Sequence, residues 1–393
     1  MRFIHVGDTH IGNVYKSRTR NEDFKDVFRQ FIDLAIKERV DFIVHSGDLF
    51  NEGSPSLESL LFVTDQLNRL KQVGIRLFVI PGSHDVGIGE ENSIIELFDR
   101  NGLLTNLNSK RYVSNDGESF TLGGETYKNA FLCGVAGKRS NVEDGIFKRL
   151  RINIDGRPWI KIFAFHHTIS SLGEQFKDLD TDSLPKDFDY YAAGHWHGHK
   201  DGIPYGKGVI QYPGSTEYCD EKEMVDNSNR GCYIVDYDES GIKKTDYFVF
   251  DTRKKEVHEI DANGKTPQAI ESEMLSKLKK SDGSLLVLRL YGRIYGTRSD
   301  LNLAFVKRSA LDLGYSYVSI NSSRLTDKND VKVDIKENDL EKIEKEFLLK
   351  RGYKEDDVKL ARFLIDAVER DMGEDSIIKT AKEMFTKYDN KRD

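Results

Sequence analysis

Apolar residues near the start of the chain come in short runs. Residues 2–7 (Arg-Phe-Ile-His-Val-Gly), 40–46, 75–80 and 160–165 each read as a short buried strand. Between them, 22–39 and 56–72 place apolar residues three and four apart, the spacing of a helix with one buried face. Strands alternating with helices predict an α/β layered domain whose polar residues gather at strand ends. Around 205–250 the pattern turns β-rich with Gly and Pro punctuation: Tyr212-Pro213-Gly214-Ser215, then Cys232-Tyr233-Ile234-Val235. A second sheet packed on the first is the expectation there.

From about residue 254 the texture changes. A strand at 256–260, a helix at 266–280, a strand at 284–291, a helix at 300–313 and a strand at 315–320 predict a compact βαβαβ unit. The expected boundaries are therefore 1–253, 254–332 for a small capping domain that orients substrate, and 333–393 for a helical segment. In that last segment Leu340, Ile343 and Phe347 stripe one helix. Val358, Ala361, Ile365 and Val368 stripe a second, and Ile377, Ala381, Met384 and Tyr388 a third. Short helices bury little alone, so these either fold back on the body or dock onto another chain. A helix over 57–70 carries Leu57, Leu60, Leu61, Thr64, Leu67 and Leu70 on one broad face, with Phe62 elsewhere. Ile94, Ile95, Leu97 and Phe98 follow. One face must cover the sheet, and the excess permits a two-fold contact through the helices near 57–70 and 92–99.

The chain has 393 residues, 59 Lys+Arg against 66 Asp+Glu, and a net charge of −7. Its length suits two or three domains at roughly 150 residues each. With 38% hydrophobic and 32% charged residues and only 7 Pro, disorder and a collagen-like chain are excluded. No apolar run approaches ~18 residues, and the first residues enter a strand pattern with no signal-peptide core, so a cytoplasmic protein is expected. Cys133, Cys219 and Cys232 are far apart, which supports neither a disulfide framework nor a CxxC metal site. Net acidity gives no argument for nucleic-acid binding; a local basic patch has to supply it.

Nine of the ten histidines lie at or before His199, so histidine chemistry belongs to the first half. Five segments matter, each where a strand gives way to a loop: Asp8-Thr9-His10, Gly47-Asp48-Leu49-Phe50-Asn51, Gly82-Ser83-His84-Asp85, His166-His167-Thr168 and Gly194-His195-Trp196-His197. Each alone is a weak signal; the ordered set is a strong one. Imidazole and carboxylate together suit Mn²⁺, Fe²⁺ or Zn²⁺. Asp8 and His10 leave one turn on the same side. Asp48 follows a glycine, and a carboxylate there can bridge two cations ~3.5–4 Å apart. His195 and His197 flank Trp196 with the period of an extended chain. Two such ions activate water and favour in-line attack on phosphorus.

The series D-x-H, G-D-x-x-[DN], G-N-H-[DE], H, G-H-x-H resembles the calcineurin-like metallophosphoesterases. Within them the similarity is to the nuclease subunit of the Mre/Rad DNA break-repair complex, the SbcD type. HVGDTHIG, HSGDLFN, AAGHWH and YPGSTE at 212–217 carry that finer likeness over about the first 220 residues. The resemblance implies an α/β fold: a two-sheet layered core with flanking helices, a small α+β capping domain and a C-terminal helical tail. It implies that Asp8, His10, Asp48 and His197 bind one metal and that Asp48, Ser83, His166 and His195 surround a second. His84 becomes a non-ligand that stabilises the transition state or protonates the leaving group, work suited to histidine. From its spacing, Asn51 is expected to orient His84 by a hydrogen bond.

By the same resemblance the cofactor is Mn²⁺, two per chain, with Mg²⁺, Fe²⁺ or Zn²⁺ as alternatives. The activity is double-strand 3'-5' exonuclease and single-strand endonuclease in double-strand break repair. The partners are DNA, a second copy of the chain, and an SMC-like coiled-coil ATPase docked on the helices at 338–388. The chain has no GxxxxGK[ST] segment of its own. One departure stands out: the family has Asn where this chain has Ser83. A hydroxyl reaches less far than an amide oxygen, so the second metal is expected to be weakened, to gain a water in its place, or to be lost with the activity.

Cations for DNA phosphates are expected from Lys16, Arg18 and Arg20, with Lys138-Arg139 nearby and Arg20 foremost. Tyr15 and Trp196 could stack on a base or simply pack. His167 is expected beside the ligands or solvated, and His199 at the surface or facing phosphate. His5 and His45 are expected in the core with hydrogen bonds. Cys219 reads as a buried thiol with nothing basic beside it. The rival readings are a general phosphatase or phosphodiesterase of the same fold and, given Ser83, a catalytically weakened scaffold that binds DNA ends.

Overall fold

The computed structural model describes residues 1–15, 20–87, 92–115, 119–137, 144–173, 178–226, 228–327 and 349. Lys16, Arg18, Lys138, Arg139 and, apart from Leu349, the expected helices over 338–388 lie outside the described residues. Among the described residues, no helix is long and apolar enough to cross a membrane.

Two six-stranded sheets form the core. The first runs, edge to edge, Gly241–Val249, Gly231–Asp238, Arg2–Val6, Phe42–His45, Arg76–Val79 and Thr105–Asn106. Its last four strands are parallel, and the hairpin from Gly231 to Val249 joins them antiparallel. The second runs Lys200–Tyr205, Gly208–Tyr212, Tyr190–Gly194, Ile160–His166, Ala130–Val135 and Glu125–Tyr127. Its four central strands are parallel. The β-rich stretch at 205–250 is thus divided. Its first part completes the second sheet, and the hairpin from Gly231 adds to the first, where Gly231–Asp238 pairs antiparallel with the free edge of Arg2–Val6.

Side chains alternate along each strand, and that alternation builds the layers. Phe3, Phe42, Val44 and Phe78 of the first sheet meet Leu132, Ile162, Ala164 and Tyr190 of the second in one fully buried cluster. The opposite face of the first sheet, Ile4, Val6, Ile43 and Val79, packs under the helices Arg20–Lys37 and Leu57–Gln72. The first of these buries Phe24, Phe28, Phe31 and Ile32, with Glu22 and Asp23 in its first turn and Lys37 in its last, matching the helix dipole. The second is capped by Ser56, whose hydroxyl accepts from the Ser59 amide at 3.2 Å. Its buried face is Ser59, Val63, Gln66, Leu67 and Leu70. Leu57 and Leu61 therefore lie outside the packed face, 71% and 57% exposed, while Phe62 packs edge-on against Phe28 at 5.8 Å. In the short helix Ile95–Arg100, Ile95 and Phe98 are buried and Leu97 is 50% exposed.

A three-stranded sheet, Val113–Asn115, Phe120–Leu122 and Leu150–Ile152, is a feature that the sequence pattern did not announce. Farther along, strands Lys255–Asp261, Leu285–Arg293 and Tyr317–Thr326 alternate with helices Pro267–Lys277 and Leu303–Asp312 in βαβαβ order. By compactness the chain divides into two units. One comprises Met1–Ile260, Glu273–Arg289 and Leu303–Asn321; the other comprises Asp261–Ser272, Leu290–Asn302 and the described residues from Ser322 on.

Candidate metal centre

Parallel strands put their C-terminal ends on one edge, where side chains from separate loops converge. Val6 lies opposite His45 in the first sheet, and His166 opposite Gly194 in the second. The loops that follow are tied together by main-chain bonds: Asp8 N to Gly47 O at 2.9 Å, His10 N to Asp48 O and Ile11 N to Leu49 O, both at 3.0 Å. Asp85, fully buried, accepts from the amides of Leu49, Phe50 and Gly82 at 3.2, 2.9 and 2.9 Å. It thereby fastens the second and third motifs to each other. Burial and the neighbouring Asp48 push its carboxyl up to about 7.

The local backbone is strained where the chemistry sits. Asp8, His10, Asp48 and His195 all take positive φ, at 51°, 44°, 55° and 78°. Such conformations cost a non-glycine residue about 1–2 kcal/mol each, and they persist where the surrounding structure fixes them. Two glycines make the close approach possible. A Cβ on Gly47, itself at φ +103°, would stand 2.4 Å from His166 Nδ1, and one on Gly194 would stand 2.2 Å from the Ser46 carbonyl.

Two sets of donor atoms result. Asp8, His10, Asp48 and His197 bring a carboxylate oxygen or ring nitrogen each to within 4.8 Å of the others, as do Asp48, His166 and His195. Asp48 is common to both. Its Oδ2 lies 3.7 Å from His10 Nε2 and 3.1 Å from His166 Nε2, and His197 Nε2 is 3.7 Å from Asp8 Oδ1. Supporting bonds hold the rings. His166 Nδ1 donates to Ser46 O at 2.8 Å, His197 Nδ1 to Glu223 Oε1 at 2.6 Å, and the His195 amide to Asp8 Oδ1 at 3.1 Å. This is the arrangement that fixes a ligating imidazole through its other nitrogen.

The donors fit divalent cations. His166 Nε2 faces Asp48 Oδ2 at 3.1 Å, and His10 turns Nε2 to the same oxygen at 3.7 Å and to His197 Nε2 at 3.1 Å. Burial would lower His166, but Asp48 outweighs it and raises the ring to about 9, holding a proton that a cation shared with Asp48 would replace. Burial lowers His10 to about 3, and burial together with His166 lowers His195 to about 4, so both are neutral imidazoles, the metal-binding form. Burial would raise Asp48, but His166 and then His10 outweigh it and hold the carboxyl well below the usual range. Burial raises Asp8 to about 6 despite His166 and His197. A mixed imidazole and carboxylate set of this kind suits Mn²⁺, Fe²⁺ or Zn²⁺.

Ser83 is half-buried and lines a cavity of about 680 Å³ together with Pro81, Asn92 and Val135. His84, next to it, is half-buried; its amide donates to Asp48 Oδ1 at 2.8 Å and its ring sits edge-on to His10 at 4.9 Å. Its Nδ1 bonds the main-chain carbonyl of Asn51 at 2.7 Å. The link between Asn51 and His84 is thus made by backbone, and the amide side chain is not its means.

Arg20 corrects the expected DNA contacts. It is 0% exposed, pairs with Asp23 and with Glu217 at 3.1 Å, and donates to Tyr218 O at 2.7 Å, so its charge is spent inside the fold. Tyr15 lies against Tyr317 at 6.2 Å and Trp196 edge-on to Tyr212 at 5.8 Å, both as packing. His5 bonds Tyr190 and Ser46, and His45 bonds Thr9, in the core. His167 is buried edge-on to Phe147, and His199 stacks on Tyr247 at 3.7 Å. Cys219 is buried, yet it is not remote from basic groups: His197 and Arg230 both act on it. Two acids were missed: Glu223, which holds His197, and Asp178, 3.4 Å from His195 Nε2. Asp85 belongs to the third motif, but its role in tying the loops was not read from it. The helix-capping pattern at Asp220 to Glu223 was the one available signal for either missed acid.

A family model for calcineurin-like phosphoesterases matches residues 1–199. Among curated proteins, one named DNA double-strand break repair protein Mre11 from Methanococcus maripaludis is 28% identical over 291 residues, 70% of this chain and 75% of its own. Its namesake from Methanocaldococcus jannaschii is 28% identical over 272 residues, covering 67% and 70% of the two chains. Another, from Thermoplasma acidophilum, is 29% identical over 308 residues, covering 74% and 77%.

Proposed function

This chain belongs to the calcineurin-like phosphoesterase family, and from that premise we propose that it is a two-metal DNA phosphodiesterase of double-strand break repair. The reading takes it as a double-strand 3'-5' exonuclease and single-strand endonuclease in the cytoplasm. Its relatives are named for break repair, which supports the DNA substrate. The observation that carries the two-metal chemistry is Asp48, one carboxylate shared by two sets of donors.

In this reading Asp8, His10, Asp48 and His197 hold one ion, and Asp48, Ser83, His166 and His195 the other, with Mn²⁺ preferred. Such ions supply Lewis-acid charge to the phosphate oxygens and make the attacking water more acidic. The chain's own residues do the rest. Glu223 and the Ser46 carbonyl hold His197 and His166 in register. The Asn51 carbonyl accepts from His84 Nδ1, which fixes that ring and leaves Nε2 to pass a proton to the leaving oxygen.

Residues 1–253 are proposed as the nuclease domain, 254–332 as a domain that orients DNA, and 333–393 as the contact for an SMC-like ATPase. Lys16 and Arg18 are proposed at the phosphate backbone. A homodimer through the helices near 57–70 and 92–99 is supported by Leu57, Leu61 and Leu97, apolar and exposed. The test is cleavage of linear duplex and single-stranded DNA against a p-nitrophenyl phosphodiester, all with Mn²⁺. DNA cleavage lost in Asp48→Asn supports the reading. Ester hydrolysis with DNA left intact overturns it.

A further inference from the structure

Cys219 is a thiol that the two-metal reading leaves without a task. It is 8% exposed, and its Sγ lies with a ring nitrogen of His10 and one of His197 in a group whose atoms are all within 4.8 Å of one another. His10, 2% exposed, has a buried Nδ1 with no hydrogen-bond partner. The other contact of the thiol is weak, 3.6 Å to the Glu217 carbonyl. One carboxylate frames the pair: Glu223 accepts from the Cys219 amide at 3.1 Å through Oε2 and from His197 Nδ1 through Oε1. Thiol and imidazole are therefore held in a fixed relation by the same side chain.

Carboxylate and imidazole alone favour harder ions; sulfur with two imidazoles favours thiophilic ones, and three protein ligands with a fourth position open is the pattern of a zinc site that keeps room for water or substrate. We propose that Cys219 joins His10 and His197 as a thiolate ligand, giving the centre a second binding mode for thiophilic divalent ions, zinc foremost. This rests on the reading of His10 and His197 as metal-facing. On binding, the S–H bond breaks, the proton goes to solvent, and the sulfur lone pair forms the bond to the metal, with no change of oxidation state. The consequence is a choice of states. Mn²⁺ is held by carboxylates and imidazoles, whereas Zn²⁺ recruits the sulfur and is retained.

Co²⁺ added to the full-length protein is the probe, read by absorption. Thiolate-to-cobalt charge transfer in the near ultraviolet is expected in the wild type and is expected to vanish in Cys219→Ser and Cys219→Ala, with visible cobalt bands kept. It is expected to survive in Cys133→Ala and Cys232→Ala, whose thiols lie in no such group among the described residues. Zn²⁺ should displace the bound Co²⁺ more readily from the wild type than from Cys219→Ser. Circular dichroism confirms that each variant is folded. Visible cobalt bands without charge transfer overturn this proposal while leaving the metal centre intact. No cobalt bands at all overturn the reading on which both rest.

Discussion

The two halves of the centre share Asp48 and differ in nearly everything else. The half made of Asp8, His10 and His197 is the more closed. Asp8 is fully buried, His10 is 2% exposed, and His197, its side chain 26% exposed, is held through Glu223, itself paired with Arg230 at 3.1 Å. The half made of His166 and His195 opens outward. His166 is buried, but the side chains of His195 and its neighbour Asp178 are 38% and 41% exposed. A charged brace, Glu223, stands behind the closed half, whereas in the open half His166 is held by the neutral Ser46 carbonyl and His195 only faces the exposed Asp178. Ser83, where the family resemblance implies Asn, is proposed on the open side, and its shorter reach would then fall where the site has least support.

The largest effect is expected from the residue common to both halves. Asp48→Asn removes a charge that each donor set uses, and DNA cleavage should fall by about 10³-fold or more. Metal content measured alongside should drop in both halves together. If one ion stays at full occupancy, the sharing of Asp48 is wrong and the halves are independent.

Unequal bracing predicts unequal sensitivity. Glu223→Gln leaves shape but removes the charge behind His197, and should weaken metal binding roughly 10- to 100-fold, as loss of such a support does elsewhere. Asp178→Asn, on an exposed partner, should cost much less, because water screens and replaces it. Calorimetric titration with Mn²⁺ compares the two. Equal losses would erase the distinction between a closed and an open half.

Acid should act through the core beneath both halves. His5, fully buried, bonds Ser46, whose carbonyl holds His166. Burial, with His45 adding to it, lowers His5 to about 3, against 6.5 in an unfolded chain. A lowered histidine contributes stability that is whole above pH 6.5 and is lost as pH falls toward 3. At 1.36 kcal/mol per pH unit, the loss by pH 5 is about 2 kcal/mol. His5→Gln should flatten that slope in urea unfolding between pH 7 and pH 5, at some cost in stability at neutral pH. An unchanged slope removes His5 as its source.

Much of this was legible in the chain. The runs at 2–7, 40–46, 75–80 and 160–165 are strands because β-branched and aromatic residues fill short, buried runs there, and the structure has them at Arg2–Val6, Phe42–His45, Arg76–Val79 and Ile160–His166. The convergence of Asp8, Asp48, His166 and His195 was readable because each follows a buried strand in a parallel array. What stayed hidden depends on contacts far apart in sequence. Glu223 and Asp178 are two acids among 66, and nothing local marks them as neighbours of His197 and His195. Arg20 looked like a phosphate ligand from its position, but partners nearly two hundred residues away, Glu217 and Tyr218, bury it. Leu57 and Leu61 fit a helical stripe by spacing, yet Val63 and Gln66 join Leu67 and Leu70 on the packed face, with Phe62 edge-on to Phe28.

The smallest effect is expected at Ser83, and it bears most directly on the open half. The neighbouring His84 amide is already bonded to Asp48 Oδ1 at 2.8 Å, so the loop backbone is in place whatever the side chain. Exchanging Ser83→Asn then adds a longer neutral oxygen donor without rebuilding the loop. The gain should appear as Mn²⁺ affinity at the weaker of two sites, about fivefold, worth about 1 kcal/mol and within the range of one hydrogen bond or one neutral ligand. The stronger site, anchored by Asp8, His10 and His197, should keep its affinity, because Ser83 is proposed in the other donor set. Two-site Mn²⁺ titration of wild type and variant distinguishes the outcomes. If the tighter constant changes instead, Ser83 acts on the closed half through Asp48, and the asymmetry between the halves lies in the bridge rather than in their exposure.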